Sequence, residues 1–211
     1  MILSKENNFL FIKTKKTAGT SVEIALSVHC GPEDIVTPLD QEGEELRRET
    51  GGQPSQNYQW GWADFPFNFA KDFLKRPKKY RGFLKRPGKQ PNPLSFKYDE
   101  HIPAGTVKAL LGKQAWESYY TFAITRNPWD KAISAYFWQA RSRENYMTLE
   151  EYIERCADRH PHKLTNWHVF TENDQIIVDE VIKYEKLSER LEKVGHEIGI
   201  PDLSLPEAKA K

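Results

Sequence analysis

Two short segments carry the side chains best placed to do chemistry. One is Phe9-Leu-Phe-Ile-Lys-Thr-Lys-Lys-Thr-Ala-Gly-Thr-Ser-Val-Glu23, the other Tyr120-Thr-Phe-Ala-Ile-Thr-Arg-Asn-Pro-Trp-Asp-Lys-Ala-Ile-Ser-Ala-Tyr136. Each is an apolar run of strand length followed by a polar turn and a helix-forming pattern. The first turn sets Lys13, Lys15 and Lys16 beside Thr17, Gly19, Thr20 and Ser21 at a helix start. Unpaired N–H groups and the helix dipole attract anions there, and Gly19 lets the backbone come close to one. This is not a Walker A loop, because G-x-x-x-x-G-K-[ST] is absent and the lysine precedes the glycine. The second turn places Arg126 at a strand's carboxyl end, where a guanidinium grips a phosphate bidentately, with Ser134 two turns into the helix. Each turn alone has a plainer explanation: solvated lysines in the first, an Arg126–Asp130 pair in the second, and a Ser134 bonded to its own backbone. Side by side, the two turns would hold two separate phosphate groups of one ligand.

The elements that must position these turns follow from patterning. Residues 8–13 and Tyr120–Thr125 read as strands, and residues 176–184 contain a third. Thr20 and Glu23 have capping-box spacing for a helix over 20–29 that ends at Gly31-Pro32. A short helix fits 41–49, and another runs from Pro103 to a stop at Gly112. Asn127 as N-cap with Pro128 behind it starts a helix after the second strand. Thr148 and Glu151 form a capping box for a helix reaching about Arg159, and 188–198 is amphipathic, ending at Gly199-Ile-Pro201. Strands alternating with helices predict an α/β fold with a parallel sheet and a ligand at the strands' carboxyl ends.

The chain's 211 residues fit a single domain, 1–211. Charge is balanced, 31 Lys and Arg against 30 Asp and Glu, so net charge points to no class of partner. The distribution is uneven. Phe73-Leu-Lys-Arg-Pro77 recurs as Phe83-Leu-Lys-Arg-Pro87 within a basic stretch, 71–93, whose prolines forbid a long helix. It reads as an exposed basic loop or insert. Alternating aromatics from Tyr58 to Phe69 precede it and suit either sugar stacking or an ordinary strand. Cys30 and Cys156 lack CxxC spacing and are expected to stay reduced. No signal peptide and no apolar run of bilayer length is visible, which predicts a cytoplasmic protein without stable membrane insertion.

Together, Lys16-Thr-Ala-Gly-Thr-Ser21 and Arg126-Asn-Pro-Trp-Asp-Lys-Ala-Ile-Ser-Ala-Tyr136 resemble the two cofactor motifs of the sulfotransferases that use 3′-phosphoadenosine 5′-phosphosulfate (PAPS). The likeness is to the carbohydrate-type, membrane-associated branch, similar to sulfotransferase family 2. It continues weakly through Val178–Leu187 and Gly199-Ile-Pro and spans most of the chain. Lys15 stands where that family usually has proline, and Ala18 where it has a glycine. The resemblance implies a three-layer, P-loop NTPase-like fold with a central parallel sheet flanked by helices. It implies that Lys15, Lys16, Thr17, Ala18, Gly19, Thr20 and Ser21 cradle the 5′-phosphosulfate, and that Arg126 and Ser134 hold the 3′-phosphate. PAPS is then the donor and 3′-phosphoadenosine 5′-phosphate (PAP) the product, with no metal required. Such enzymes usually continue beyond the point matching Ala208-Lys-Ala-Lys211 into a covering segment, so a shortened C-terminal segment and a more open adenosine side are expected.

Sulfuryl transfer needs in-line geometry, cations near the leaving oxygen and a base for the acceptor hydroxyl. Lys16 is the expected cation and His101 the expected base, since imidazole titrates near neutrality and His101 precedes a helix as in related sulfotransferases. Glu100 is the second candidate base. His29, His160, His162, His168 and His196 show no link to either turn, and His160-Pro-His162 alone is too few ligands for a metal. The expected acceptor is a hydroxyl-bearing carbohydrate, anionic if the basic repeat borders the site. The alternatives are an atypical nucleotide-dependent kinase, opposed by the missing Walker pair, and a non-catalytic anion- or nucleic-acid-binding protein. Neutral net charge and the absence of a recognition module oppose the latter, so no nucleic acid is expected.

Overall fold

Phe9–Ile12 and Tyr120–Thr125 are apolar on both faces, which suits strands covered on both sides by helices. In the computed structural model, which describes residues 1–60, 96–141, 143–144 and 146–205, they are neighbours at the centre of a sheet. The described strands are β1 (Ile2–Ser4), β2 (Phe9–Ile12), β3 (Ile35–Val36), β4 (Tyr120–Thr125), β5 (Thr171–Glu172), β6 (Gln175–Ile176) and β7 (Glu180–Lys183). The described helices are α1 (Gly19–Ser27), α2 (Gln41–Glu49), α3 (Ala104–Leu111), α4 (Lys113–Trp116), α5 (Pro128–Ala140), α6 (Leu149–Arg159), α7 (Trp167–Phe170) and α8 (Leu187–Glu197).

The main sheet has the order β3-β1-β2-β4-β7, and β5 and β6 form a separate hairpin. β2 pairs with β4 in parallel, Phe9 opposite Tyr120 and Ile12 opposite Ala123, and β4 pairs in parallel with β7. The expectation of a parallel sheet is therefore corrected: these three strands are parallel, but β1 runs antiparallel to both β2 and β3. The cause is local. Only Lys5–Asn8 separate β1 from β2, and so short a turn joins antiparallel strands alone. Asn8 takes a left-handed φ of 50° to close it.

Alternate residues of the strands feed two cores. Phe9, Phe11, Phe122, Ile124 and Ile182 pack with Val22, Leu26, Leu191 and Val194 of α1 and α8. Leu10, Ile12 and Ala123 pack on the opposite face with Ala104, Val107, Trp116, Val169 and Phe170 of α3, α4 and α7. The result is helix, sheet and helix in three layers.

Several helix boundaries match their sequence signals. Asn127 accepts a hydrogen bond from Trp129 N at 2.9 Å, and the Thr148–Glu151 capping box forms. Gly112 and Gly199 stop their helices at φ 84° and 76°. The Thr20–Glu23 capping box does not form: α1 starts at Gly19 from an Ala18 cap without a side-chain bond. Glu23 is instead drawn inward to Lys13, 2.7 Å away, and to the Met1 amino group. Cys30 and Cys156 are free and buried, and burial pushes the Cys30 thiol up to about 12. Among the described residues no helix is long and apolar enough to cross a membrane. The basic repeat, the aromatics from Trp62 to Phe69 and the last six residues lie outside the described residues.

Candidate functional site

Because β2 and β4 are parallel neighbours, the turns that follow them open on the same edge of the sheet. Arg126 Nη1 donates to the carbonyl oxygen of Lys16 at 3.4 Å, a contact across 110 residues of sequence that joins the two turns directly. The guanidinium lies on the Tyr184 ring, 4.4 Å from its centroid, just past the end of β7. Its buried Nε has no hydrogen-bond partner among the described residues. Arg126 pairs with neither Asp130 nor any other described carboxylate, so the turn is not held by the pair that would have made it purely structural. Glu185, not Asp130, braces the turn by accepting from Asn127 N at 3.0 Å.

The first turn is shaped by its own backbone. Lys16 and Ala18 both take left-handed conformations, φ 63° and 59°, around Thr17. Alternation of this kind turns successive N–H groups toward one side, an anion-binding concavity. Thr17 is fully buried, and its hydroxyl lies 2.8 Å from that of Thr14 inside the loop rather than facing outward. Thr14 in turn donates to the carbonyl of Ile124 on β4. Gly19 packs flat against Lys13, since a Cβ there would meet Lys13 Cγ at 2.7 Å. Asn166 secures the loop from outside, donating from Nδ2 to Lys15 O at 2.9 Å and accepting from Lys15 N at 3.3 Å.

Cations crowd this edge. Lys16 Nζ sits 4.4 Å from the Trp138 ring centroid, and the Arg141 guanidinium 3.4 Å from it. Burial, then Arg141 and Arg126, hold the Lys16 pKa below its ordinary value. Such a site, short of negative charge, is stabilised by an incoming anion.

A cavity of ≈ 720 Å³ opens beside the loop. Residues 13–20 form one wall, Glu100 and His101 another, and Lys131, Gln139, Tyr152, Asn166 and His168 the far side. That volume suits a drug-sized ligand. Thus Lys15 to Thr20 and His101 share one cavity, whereas Ser21, Arg126 and Ser134 lie outside its wall. His101 Nδ1 is 3.2 Å from Lys13 O, and Nε2 is 3.9 Å from Glu100 Oε2. Burial lowers the His101 pKa, opposed by Glu100. Glu100 also pairs with Lys13, whose other partner is Glu23. The side chains Glu23, Lys13, Glu100 and His101 thus form one chain of contacts behind the loop.

His168 is corrected by this geometry: it had no visible link to either turn, yet it faces the same cavity as the first. Asn166, Tyr152 and Gln139 also escaped sequence reasoning. Nothing in sequence ties Asn166 to Lys15, 151 positions away. Lys131 lay within the second motif but drew no role. Burial, then Lys15, bring its pKa down to about 8.

A family model described as "Sulfotransferase family" matches residues 1–211, the whole chain. An uncharacterized protein of Archaeoglobus fulgidus is 30% identical over 105 residues, which is 48% of this chain and 85% of that protein. No solved structure matches.

Proposed function

The chain belongs to the sulfotransferase family, and we propose that it moves a sulfuryl group from PAPS to the hydroxyl of an acceptor, a carbohydrate by preference. The observation that carries this reading is the Arg126–Lys16 contact, which brings the two anion-holding turns together on adjacent parallel strands. The residues present fit such a donor: an unpartnered buried Arg126 Nε, a loop with left-handed Lys16 and Ala18 on either side of Thr17, and a Lys16 in the field of two arginines.

PAPS supplies an activated sulfuryl group, bonded through oxygen to its 5′-phosphate. The loop Lys15–Ser21 holds that end by backbone N–H groups and the α1 dipole. Arg126 and Ser134 hold the 3′-phosphate at the second turn, with Arg126 offering the fork suited to phosphate. Lys16 steadies charge building on the leaving oxygen. His101 receives the acceptor's hydroxyl proton on Nε2 as the acceptor oxygen bonds to sulfur and the bond from sulfur to phosphate oxygen breaks.

Calorimetric titration with PAP and with ATP plus magnesium tests the donor. Tighter binding of PAP is expected. Tighter, magnesium-dependent binding of ATP would overturn the reading in favour of a kinase. Sulfuryl transfer from labelled PAPS to a panel of sugars then identifies the acceptor.

A further inference from the structure

Lys131 sits on α5, the helix opened by the second turn, and its side chain is 3% exposed. Lysines that buried are almost always paired. This one lines the same cavity as the anion loop and donates to the carbonyl of Lys163. No carboxylate pairs with it among the described residues. The groups acting on it are Lys15 from the loop, which opposes its charge, and Cys156 from α6, which favours it. Tyr152, Lys163 and His168 complete the titratable wall on this side of the cavity. A carbonyl uses one of the three ammonium donors. Two lysines that repel one another beside a cavity, with no acid between them, are an arrangement that an anion relieves.

We propose that Lys131 is a further cationic contact for the donor's 5′ anionic end, closing on it from α5 while Lys15 and the loop hold the other side. The inference rests on the PAPS reading above. It has a consequence that a purely structural lysine lacks. With burial and then Lys15 bringing its pKa down to about 8 in the free protein, Lys131 is partly deprotonated at pH 8, and a bound anion restores the missing proton. Donor binding at that pH therefore takes up a fraction of a proton at this residue.

The test is titration with PAP at pH 8 in two buffers of different ionisation enthalpy, using the wild-type chain, Lys131→Met and Lys131→Arg. Wild type is expected to take up protons on binding. Lys131→Met should bind PAP about tenfold or more weakly, as loss of a charge-assisted hydrogen bond implies, with the uptake reduced to what Lys16 still contributes. Lys131→Arg should keep affinity within about threefold and also lose Lys131's share of the uptake, because arginine stays charged. If Lys131→Met fails to fold, Lys131→Arg decides: tight binding with an uptake smaller than wild type's supports the contact, and an uptake equal to wild type's overturns it. Lys131→Met with wild-type PAP affinity would show a lysine that merely ties down Lys163, and would leave the PAPS reading standing. Wild type that binds no PAP would remove both.

Discussion

His101 Nδ1 lies 3.2 Å from the carbonyl oxygen of Lys13, the residue that leads into the anion loop. A carbonyl only accepts, so Nδ1 carries the hydrogen and Nε2 keeps its lone pair. Burial holds the imidazole neutral to lower pH than usual, outweighing the pull of Glu100. One hydrogen bond thus fixes both the tautomer and the distance between the candidate base and the loop.

Replacing that base should separate chemistry from binding. His101→Ala is expected to lower kcat by roughly 10²–10⁴, the usual worth of a positioned base, while PAP affinity barely changes. Single-turnover rates and PAP titration measure the two quantities independently. Wild-type turnover in His101→Ala would exclude it as the base.

Glu100 distinguishes the two candidate bases through pH. If His101 is the base it must be neutral, so activity is expected to rise as pH climbs through its pKa, which lies below the ordinary 6.5. The Glu100 carboxylate pushes that pKa up, so Glu100→Gln should move the acid limb of kcat/KM to still lower pH. Lys13 keeps Glu23 as a partner in that variant, which preserves the loop. Activity lost at every pH would instead make Glu100 the base.

Arg126 should matter to one end of the ligand only. Arg126→Ala is expected to weaken PAP binding by about tenfold or more, and Arg126→Lys to recover only part, since an ammonium lacks the planar fork. The loss should disappear with adenosine 5′-monophosphate, which has no 3′-phosphate. An equal loss with both ligands would place Arg126 at the 5′ end or make it structural.

Much of this site was legible because its signals are local. The apolar runs ending at Ile12 and Thr125, the Asn127-Pro128 helix start and the loop lysines are each written within a few residues. Pairing them needed only the rule that consecutive strand–helix units lie in parallel. The failures came from an element too short to read and from contacts between residues that no local pattern links. β1 is too short to show a period, so the antiparallel edge was missed. Glu23 has ideal capping-box spacing, but a buried ion pair with Lys13 outweighs a cap worth about 1 kcal/mol. Asn166 and His168 reach the cavity only because α7 packs on the far face of the sheet.

Asn166 makes a test of such a distant contact. It is buried and bonds both the N–H and the carbonyl of Lys15. Asn166→Ala should leave Lys15's peptide unpaired at a cost of about 1–3 kcal/mol, and weaken PAP binding several-fold by loosening the loop. Hydrogen exchange at the Lys15 amide should quicken well beyond any change in global stability. Unaltered exchange there would mean the asparagine is not what holds the loop.

The loop's backbone makes the last and most local prediction, from two adjacent positions. Ala18 has φ 59°, a left-handed conformation that costs a residue with a Cβ roughly 1–2 kcal/mol. Ala18→Gly removes that strain, less about 0.4–1 kcal/mol for the freer unfolded chain, so a modest net gain is expected. Gly19→Ala should act oppositely, because its Cβ would fall 2.7 Å from Lys13 Cγ and 3.3 Å from Thr14 O. Lys13 could yield only by straining its buried pairs with Glu23 and Glu100. Each kcal/mol moves Tm by about 2–4 °C in a chain of this size, so thermal unfolding resolves both signs. Exchanging alanine and glycine should therefore stabilise at 18 when glycine enters and destabilise at 19 when it leaves. Shifts of the reverse sign would mean that Ala18 is not left-handed and that Gly19 is not packed against Lys13.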